Sequence, residues 1–131
     1  MAKGKVETGR IINAPAEAVW RLITDTRQWP QWGPSVVAVE CDSRYIGPES
    51  RGRVKTAIGV RLPFRVTRFE QGLFWAWTVA GVPATGHRLE SLGPGRSRLI
   101  FEIPLIAAPY TIVCQMALGR IACLLQDDAP Q

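Results

Sequence analysis

The chain has 131 residues, 47% hydrophobic and 21% charged, with a formal net charge of +5. That length is natural for one domain with its own core, and the composition excludes wholesale disorder. The charge comes from thirteen arginines and three lysines spread along the whole chain, so no basic patch forms and nucleic acid is not expected as a partner.

The elements are read from periodicity. Lys5 to Ile12 reads as a strand. Pro15 suits the first turn of a helix, with Asn13 or Ala14 as cap and Glu17 placed favourably against the helix dipole. Val19, Leu22 and Ile23 follow at helical spacing beside Trp20, and this helix should end between Thr24 and Thr26. A second short helix or pair of turns, Arg27 to Gly33, carries Trp29 and Trp32 and is stopped by Pro34.

The period then changes to two. Val36 to Cys41 places Val37, Val39 and Cys41 on one face. Gly52 to Ile58 places Val54, Thr56 and Ile58 on one face and Arg53 and Lys55 on the other. Arg61 to Glu70 sets Leu62, Phe64 and Val66 inward, with Arg68 falling on the same face. After a turn at Gln71-Gly72, the segment Leu73 to Val79 aligns Leu73, Trp75, Trp77 and Val79. Val82 to Ser91 puts His87 and Leu89 opposite Arg88 and Glu90. Gly93-Pro94-Gly95 marks a turn before Arg96 to Ile103, where Leu99, Phe101 and Ile103 share a face. Strict alternation of apolar and charged residues signals an antiparallel sheet with one buried and one wet face, hence an α+β domain over residues 1–131.

Pro109 to Gln126 carries one charge, Arg120, and reads as a terminal helix. It approaches the length needed to cross a bilayer, but Gln115, Gly119 and Arg120 dilute it and the sheet needs a cover, so no transmembrane span is expected. A helix apolar on nearly all sides should be buried on nearly all sides, one face on the sheet and the other on a partner; a homodimer through this helix is the economical expectation. Cys41, Cys114 and Cys123 are odd in number and lack CxxC spacing. Nine residues put Cys114 and Cys123 on nearly opposite helix faces, so reduced thiols and a cytoplasmic location are expected. The first residues, Met1 to Glu7, lack the apolar stretch of a secretory signal.

The stretch Ile12-Asn-Ala-Pro-Ala-Glu-Ala-Val-Trp20, then Leu22-Ile-Thr-Asp25 and Trp29-Pro-Gln-Trp32, resembles the opening of the START-like superfamily, also called SRPBCC, polyketide cyclase/dehydrase-like or helix-grip proteins. Leu73 and Trp75 on one strand and Gly86-His87-Arg88-Leu89 on the next fit the later spacing, so the resemblance covers the whole chain. It implies a curved antiparallel sheet of six to seven strands wrapped around a long C-terminal helix, two short helices after the first strand, and a cavity between sheet and helix. It also implies that Trp29 and Trp32 lie near the pocket mouth. This terminal helix is less amphipathic than is usual in the family. The fold hosts lipid carriers, hormone receptors, cyclases and chaperone activators, so the resemblance says less about function than about fold.

No hydrolase nucleophile motif, phosphate loop, dinucleotide fingerprint or HExxH occurs, and one histidine without paired cysteines builds no zinc site; neither metal nor cofactor is expected. His87 is the sharpest chemical candidate, either a general acid/base or a hydrogen-bonded residue of the wall. The expected ligand-binding set is Trp29, Trp32, Thr56, Phe64, Arg68, Trp75, Trp77, His87, Leu89 and Phe101. Arg68 is weighed between a pocket-rim contact and a side chain snorkelling to water. Tyr45 and Tyr110 flank turns where a hydroxyl reaches a pocket edge. The expected function is binding of a small hydrophobic molecule, with two alternatives: a cyclase or aromatase-type enzyme using His87 or Arg68, and an interaction scaffold with a vestigial pocket.

Overall fold

Residues 5–126 are described by the computed structural model. Its elements are β1 (Lys5–Ile12), α1 (Ala16–Thr24), α2 (Trp29–Trp32), β2 (Val36–Cys41), β3 (Arg51–Thr56), β4 (Arg61–Glu70), β5 (Phe74–Val79), β6 (Val82–Ser91), β7 (Ser97–Pro104), a 3-10 segment (Leu105–Tyr110) and α3 (Thr111–Gln126). The strands form one seven-stranded antiparallel sheet in the order β1-β7-β6-β5-β4-β3-β2. β1 and β2 are consecutive in the chain but sit at opposite edges. The α1–α2 connection therefore crosses the sheet, and with α3 it covers the face that the alternating apolar residues present.

Local chemistry sets the ends of these elements. Pro15 is itself the N-cap of α1, in extended conformation and without a side-chain cap, so the helix begins one residue later than expected. Glu17 lies in the first turn, and Val19, Trp20, Ile23 and Thr24 face the core. α2 is a single turn, closed by the Gly33 N–H donating to the Trp29 carbonyl. Pro109 does not start the terminal helix; it stands inside the 3-10 segment, and α3 begins at Thr111. Leu105–Gln126 has the length and apolar composition of a membrane span. The chain is non-helical at Ala107, however, and α3 buries Cys114, Ala117, Leu118, Ile121 and Ala122 against the domain. Burial of α3 is one-sided: Ile112 (68% exposed), Met116, Gln115, Arg120 and Cys123 face outward.

Three irregularities in pairing correct the expected facing of residues. β2 carries an extra residue against β3 between Val36 and Ala38, so Val37 turns outward while Val36 and Val39 pack on the core. β4 carries an extra residue against β5 between Val66 and Arg68. Phe69 thereby turns inward against Trp20, at 5.6 Å between ring centroids, and Arg68 turns out. The third lies between Ala76 and Thr78, where β5 meets β6. Bulges of this kind bend a strand and increase its twist, which curves the sheet around its cover. Two further expectations fail at turns. Ile58 is 86% exposed because the strand ends at Thr56 before a turn at Gly59, where φ is +88°; Leu73 is exposed in the turn before β5.

Candidate functional site

The inner face of the sheet carries an aromatic stack. Trp75 lies between Trp29, near-parallel at 5.5 Å, and His87, stacked at 3.9 Å between ring centroids. Phe64 and Trp77 close on Trp29 at 5.3 Å each, and Phe101 meets His87 edge-on at 4.8 Å. Adjacent strands bring these rings together: Trp75 pairs across from His87, and His87 across from Phe101. Such contacts stabilise beyond area burial alone. Trp29 and Trp32 are both buried. The Trp29 indole donates to the Ile23 carbonyl at 2.9 Å, pinning α2 beneath the end of α1.

His87 is 1% exposed and both its ring nitrogens are engaged. Nδ1 lies 3.1 Å from the Trp75 carbonyl oxygen, which only accepts, so Nδ1 carries the proton. Nε2 then accepts from the Thr85 hydroxyl at 3.1 Å, and Thr85 in turn accepts from the Trp77 indole N–H at 3.1 Å. Burial pushes the imidazole pKa down to about 3, against a smaller upward effect of the Trp75 carbonyl. The ring is neutral at physiological pH and its hydrogen bonds fix its tautomer.

Two chambers lie between the sheet, the Gly33–Val36 loop and the start of the terminal helix. The inner chamber, about 40 Å³, is walled by the four tryptophans Trp29, Trp32, Trp75 and Trp77, with Thr85, His87, Phe101, Tyr110, Cys114 and Ala117 among its other walls. The outer chamber, about 340 Å³, is walled by Val54, Thr56, Leu62, Val79, Val82, Pro83, Ala84, Ile103, Pro104 and Ala107. Ser35, Val36, Trp77, Thr85 and Tyr110 border both. Among the described residues, no Lys, Arg, Asp or Glu lines either one. The Tyr110 and Ser35 hydroxyls are hydrogen-bonded at their boundary. Burial raises the Tyr110 pKa, opposed by the Ser35 bond. Burial raises that of Cys114 to about 11, leaving a thiol without nucleophilic character at neutral pH. A groove of about 410 Å³ over α1 is larger, but Glu17 and Arg21 line it and, among the described residues, no α3 residue does.

Of the residues singled out from sequence, Trp29, Trp32, Trp75, Trp77, His87 and Phe101 meet at the inner chamber, and Thr56 borders the outer one. Phe64 and Leu89 are buried packing residues outside both linings. Arg68 is on the opposite face of the sheet, its side chain 62% exposed, paired with Glu70 at 2.7 Å and lying over the Phe74 ring. The bulge at Thr67 put it there. Tyr45 lies by the surface groove over α1, beneath the Arg44 guanidinium. Thr85 and Ser35 were not anticipated. Thr85 lies two residues before His87 on the same strand, so parity alone points to it.

A seven-stranded antiparallel sheet covered by a long C-terminal helix, with apolar pockets between them, defines a START-like, helix-grip protein. The chain belongs to the family described as polyketide cyclase/dehydrase and lipid transport, whose pattern it matches over residues 3–123. No curated protein is significantly similar to it in sequence. Among solved structures it resembles XoxI from Bacillus cereus, with 13% identity, a TM-score of 0.74, and coverage of 95% of this chain and 96% of that one. It also resembles a START superfamily protein from Mycobacterium smegmatis, with 17% identity, a TM-score of 0.71 and coverage of 92% and 98%. The di-domain ARO/CYC BexL of the BE-7585A biosynthetic pathway aligns at 15% identity with a TM-score of 0.68, over 90% of this chain and 45% of that one. At these identities the likeness establishes the fold.

Proposed function

We propose that this protein binds a small hydrophobic molecule in the paired chambers between its sheet and α3, and holds it without converting it. The observation that carries this reading is a space of about 340 Å³, lined by no charged residue among those described, that shares five wall residues with an aromatic inner chamber. Pockets of this size with mostly apolar walls and a few hydroxyls suit a drug-sized apolar ligand. Removing the ligand's surface from water supplies roughly 25 cal/mol per Å², before the costs of ordering.

Retention rather than turnover is favoured by the state of His87. A proton carrier works best with a pKa near the working pH and a free nitrogen facing the substrate. Here the pKa is about 3 and both nitrogens are taken within the wall. The lipid transport side of the family description and the likeness to a START superfamily protein agree with a carrier, while the likeness to BexL keeps a cyclase as the rival.

Native mass spectrometry of the protein as isolated tests this. A neutral apolar compound released on denaturation at one per chain is the expected result. An empty protein that also takes up no apolar probe at micromolar concentration would overturn it.

A further inference from the structure

The exposed apolar side chains of this domain are unevenly placed. Pairing fixes which loops share an end: Val36 lies across from Thr56, Lys55 from Arg61, Val79 from Val82 and Lys5 from Pro104. The β3–β4 turn, the β5–β6 turn, the start of β2 and the 3-10 segment after β7 therefore stand at one end of the sheet. That end exposes Ile58 and Val60 on the first turn, Val82 beside the second, and Leu105 and Ile106 on the 3-10 segment. The three connections at the other end carry one exposed large apolar residue each, Tyr45, Leu73 and Leu92. Scattered single residues of that kind are ordinary on a protein surface, whereas a concentration of them marks an interaction site.

Charge divides the same way. Segments 33–38, 55–61, 79–83 and 104–112 contain no Asp or Glu, and Lys55 and Arg61 stand at the foot of the β3–β4 turn. Glu40, farther along β2, is shared between Arg53 and Arg61, so positive charge is left over. The connections at the opposite end mix signs, with Asp42, Glu49 and Glu70 beside Arg44 and Arg96. The outer chamber also reaches the surface at the apolar end: its exposed wall residues, Val82, Pro83 and Tyr110, all belong there.

These features select a lipid surface over a protein. The apolar side chains sit on two turns and a 3-10 segment rather than on one flat face, and a bilayer needs no matching shape. A second copy meeting end to end would set Lys55 and Arg61 against their equivalents, whereas an anionic leaflet attracts them. Interfacial binding combines apolar burial with such attraction. We propose that this end docks on a lipid bilayer: Ile58, Val82, Leu105 and Ile106 sink into the headgroup boundary, Lys55 and Arg61 meet anionic headgroups, and an apolar cargo passes between bilayer and outer chamber without crossing water. Docking goes beyond the pocket reading above, and only the passage of cargo rests on that reading.

Vesicle sedimentation with the full chain tests this, using phosphatidylcholine vesicles with and without roughly a quarter phosphatidylglycerol, which supplies the negative surface. The mixed vesicles should bind the protein severalfold more tightly, and added salt should weaken that binding. Ile58→Asp and Ile106→Asp alter side chains 86% and 91% exposed, so both variants should fold, and each should cut vesicle binding roughly tenfold. Leu73→Asp, the same kind of change at the opposite end, should leave binding within about twofold. Failure to bind either vesicle overturns the proposal, as does an equal loss in Leu73→Asp and Ile106→Asp. Light scattering at micromolar concentration checks the rival occupant: a dimer that Ile58→Asp and Ile106→Asp dissociate would give this end to a second copy and overturn bilayer docking. A filled chamber in a chain that ignores vesicles overturns docking and leaves the pocket reading standing. Vesicle binding by a chain that carries no apolar compound does the reverse.

Discussion

His87 shows how one side chain is committed by its surroundings. It is held between the Trp75 ring and Phe101, its proton is on Nδ1, and Thr85 donates to the other nitrogen. That arrangement accommodates only the neutral imidazole, and it carries a pH dependence whose sign follows directly. In the unfolded chain the ring titrates near 6.5; in the fold it titrates near 3. Between those values the unfolded chain binds the extra proton, so this residue's contribution to stability is present above about pH 6.5 and is lost as pH falls toward 3. His87→Gln keeps a polar side chain but cannot titrate. The stability gap between the unaltered protein and this variant, measured by urea unfolding, should shrink on going from pH 7.5 to 4.5, by on the order of 2 kcal/mol. A gap that stays constant across that range would mean the imidazole is not sealed from solvent.

At the scale of elements, the edge hairpin β2–β3 depends on a residue with no side chain. A Cβ at Gly52 would lie 2.2 Å from the Glu40 carbonyl oxygen on β2 and 2.8 Å from the Phe64 ring on β4. Backbone on one side and a core ring on the other leave it no room to move. Gly52→Ala should therefore destabilise the protein by roughly 1–3 kcal/mol, the usual cost of overpacking, and expose the β2 amides to hydrogen exchange. Gly47→Ala, where nothing lies within 4 Å, is the control and should be close to neutral by the same measurement. The clash at Gly52 was invisible in the sequence, since it depends on which strand lies alongside. The same limit explains the rest of what could and could not be read. Alternation located every strand, and parity placed Trp75, Trp77, His87 and Phe101 inward, because period-two patterning is a local property. Parity failed for Val37 and Arg68, each next to an inserted residue, since one extra residue reverses every later facing until the register recovers. It also ran too far at Ile58 and Leu73, where alternation continued into turns. The inner chamber itself was not legible: the rings that wall it were, but the hydrogen bonds that satisfy the Trp29 and Trp77 indoles come from contacts of α2 with α1 and of β5 with β6.

Across the whole molecule, binding and stability are coupled through the same space. The outer chamber is bounded by residues of six strands, β2 to β7, and by the segment that leads into α3, so an occupied chamber joins elements distant in sequence. A ligand that binds only the folded chain stabilises it by mass action, about 2.7 kcal/mol at a hundredfold excess over Kd. For a domain of this size that corresponds to an upward shift in Tm of roughly 10 °C. Ala107→Phe sets a ring into the outer chamber from the 3-10 segment, where Ala107 packs against the core and borders the space. The variant should fold, because its added volume replaces emptiness rather than neighbouring atoms. It should then lose the thermal shift given by the apolar probe 2-acetonaphthone while its own Tm stays within a few degrees of the unaltered protein. Loss of the shift together with a collapse in Tm would instead trace the effect to the junction between β7 and α3. A shift that persists in the variant would place the ligand outside this chamber, because a space of about 340 Å³ cannot hold both a phenyl ring in its wall and a naphthyl ketone of comparable bulk in the original pose.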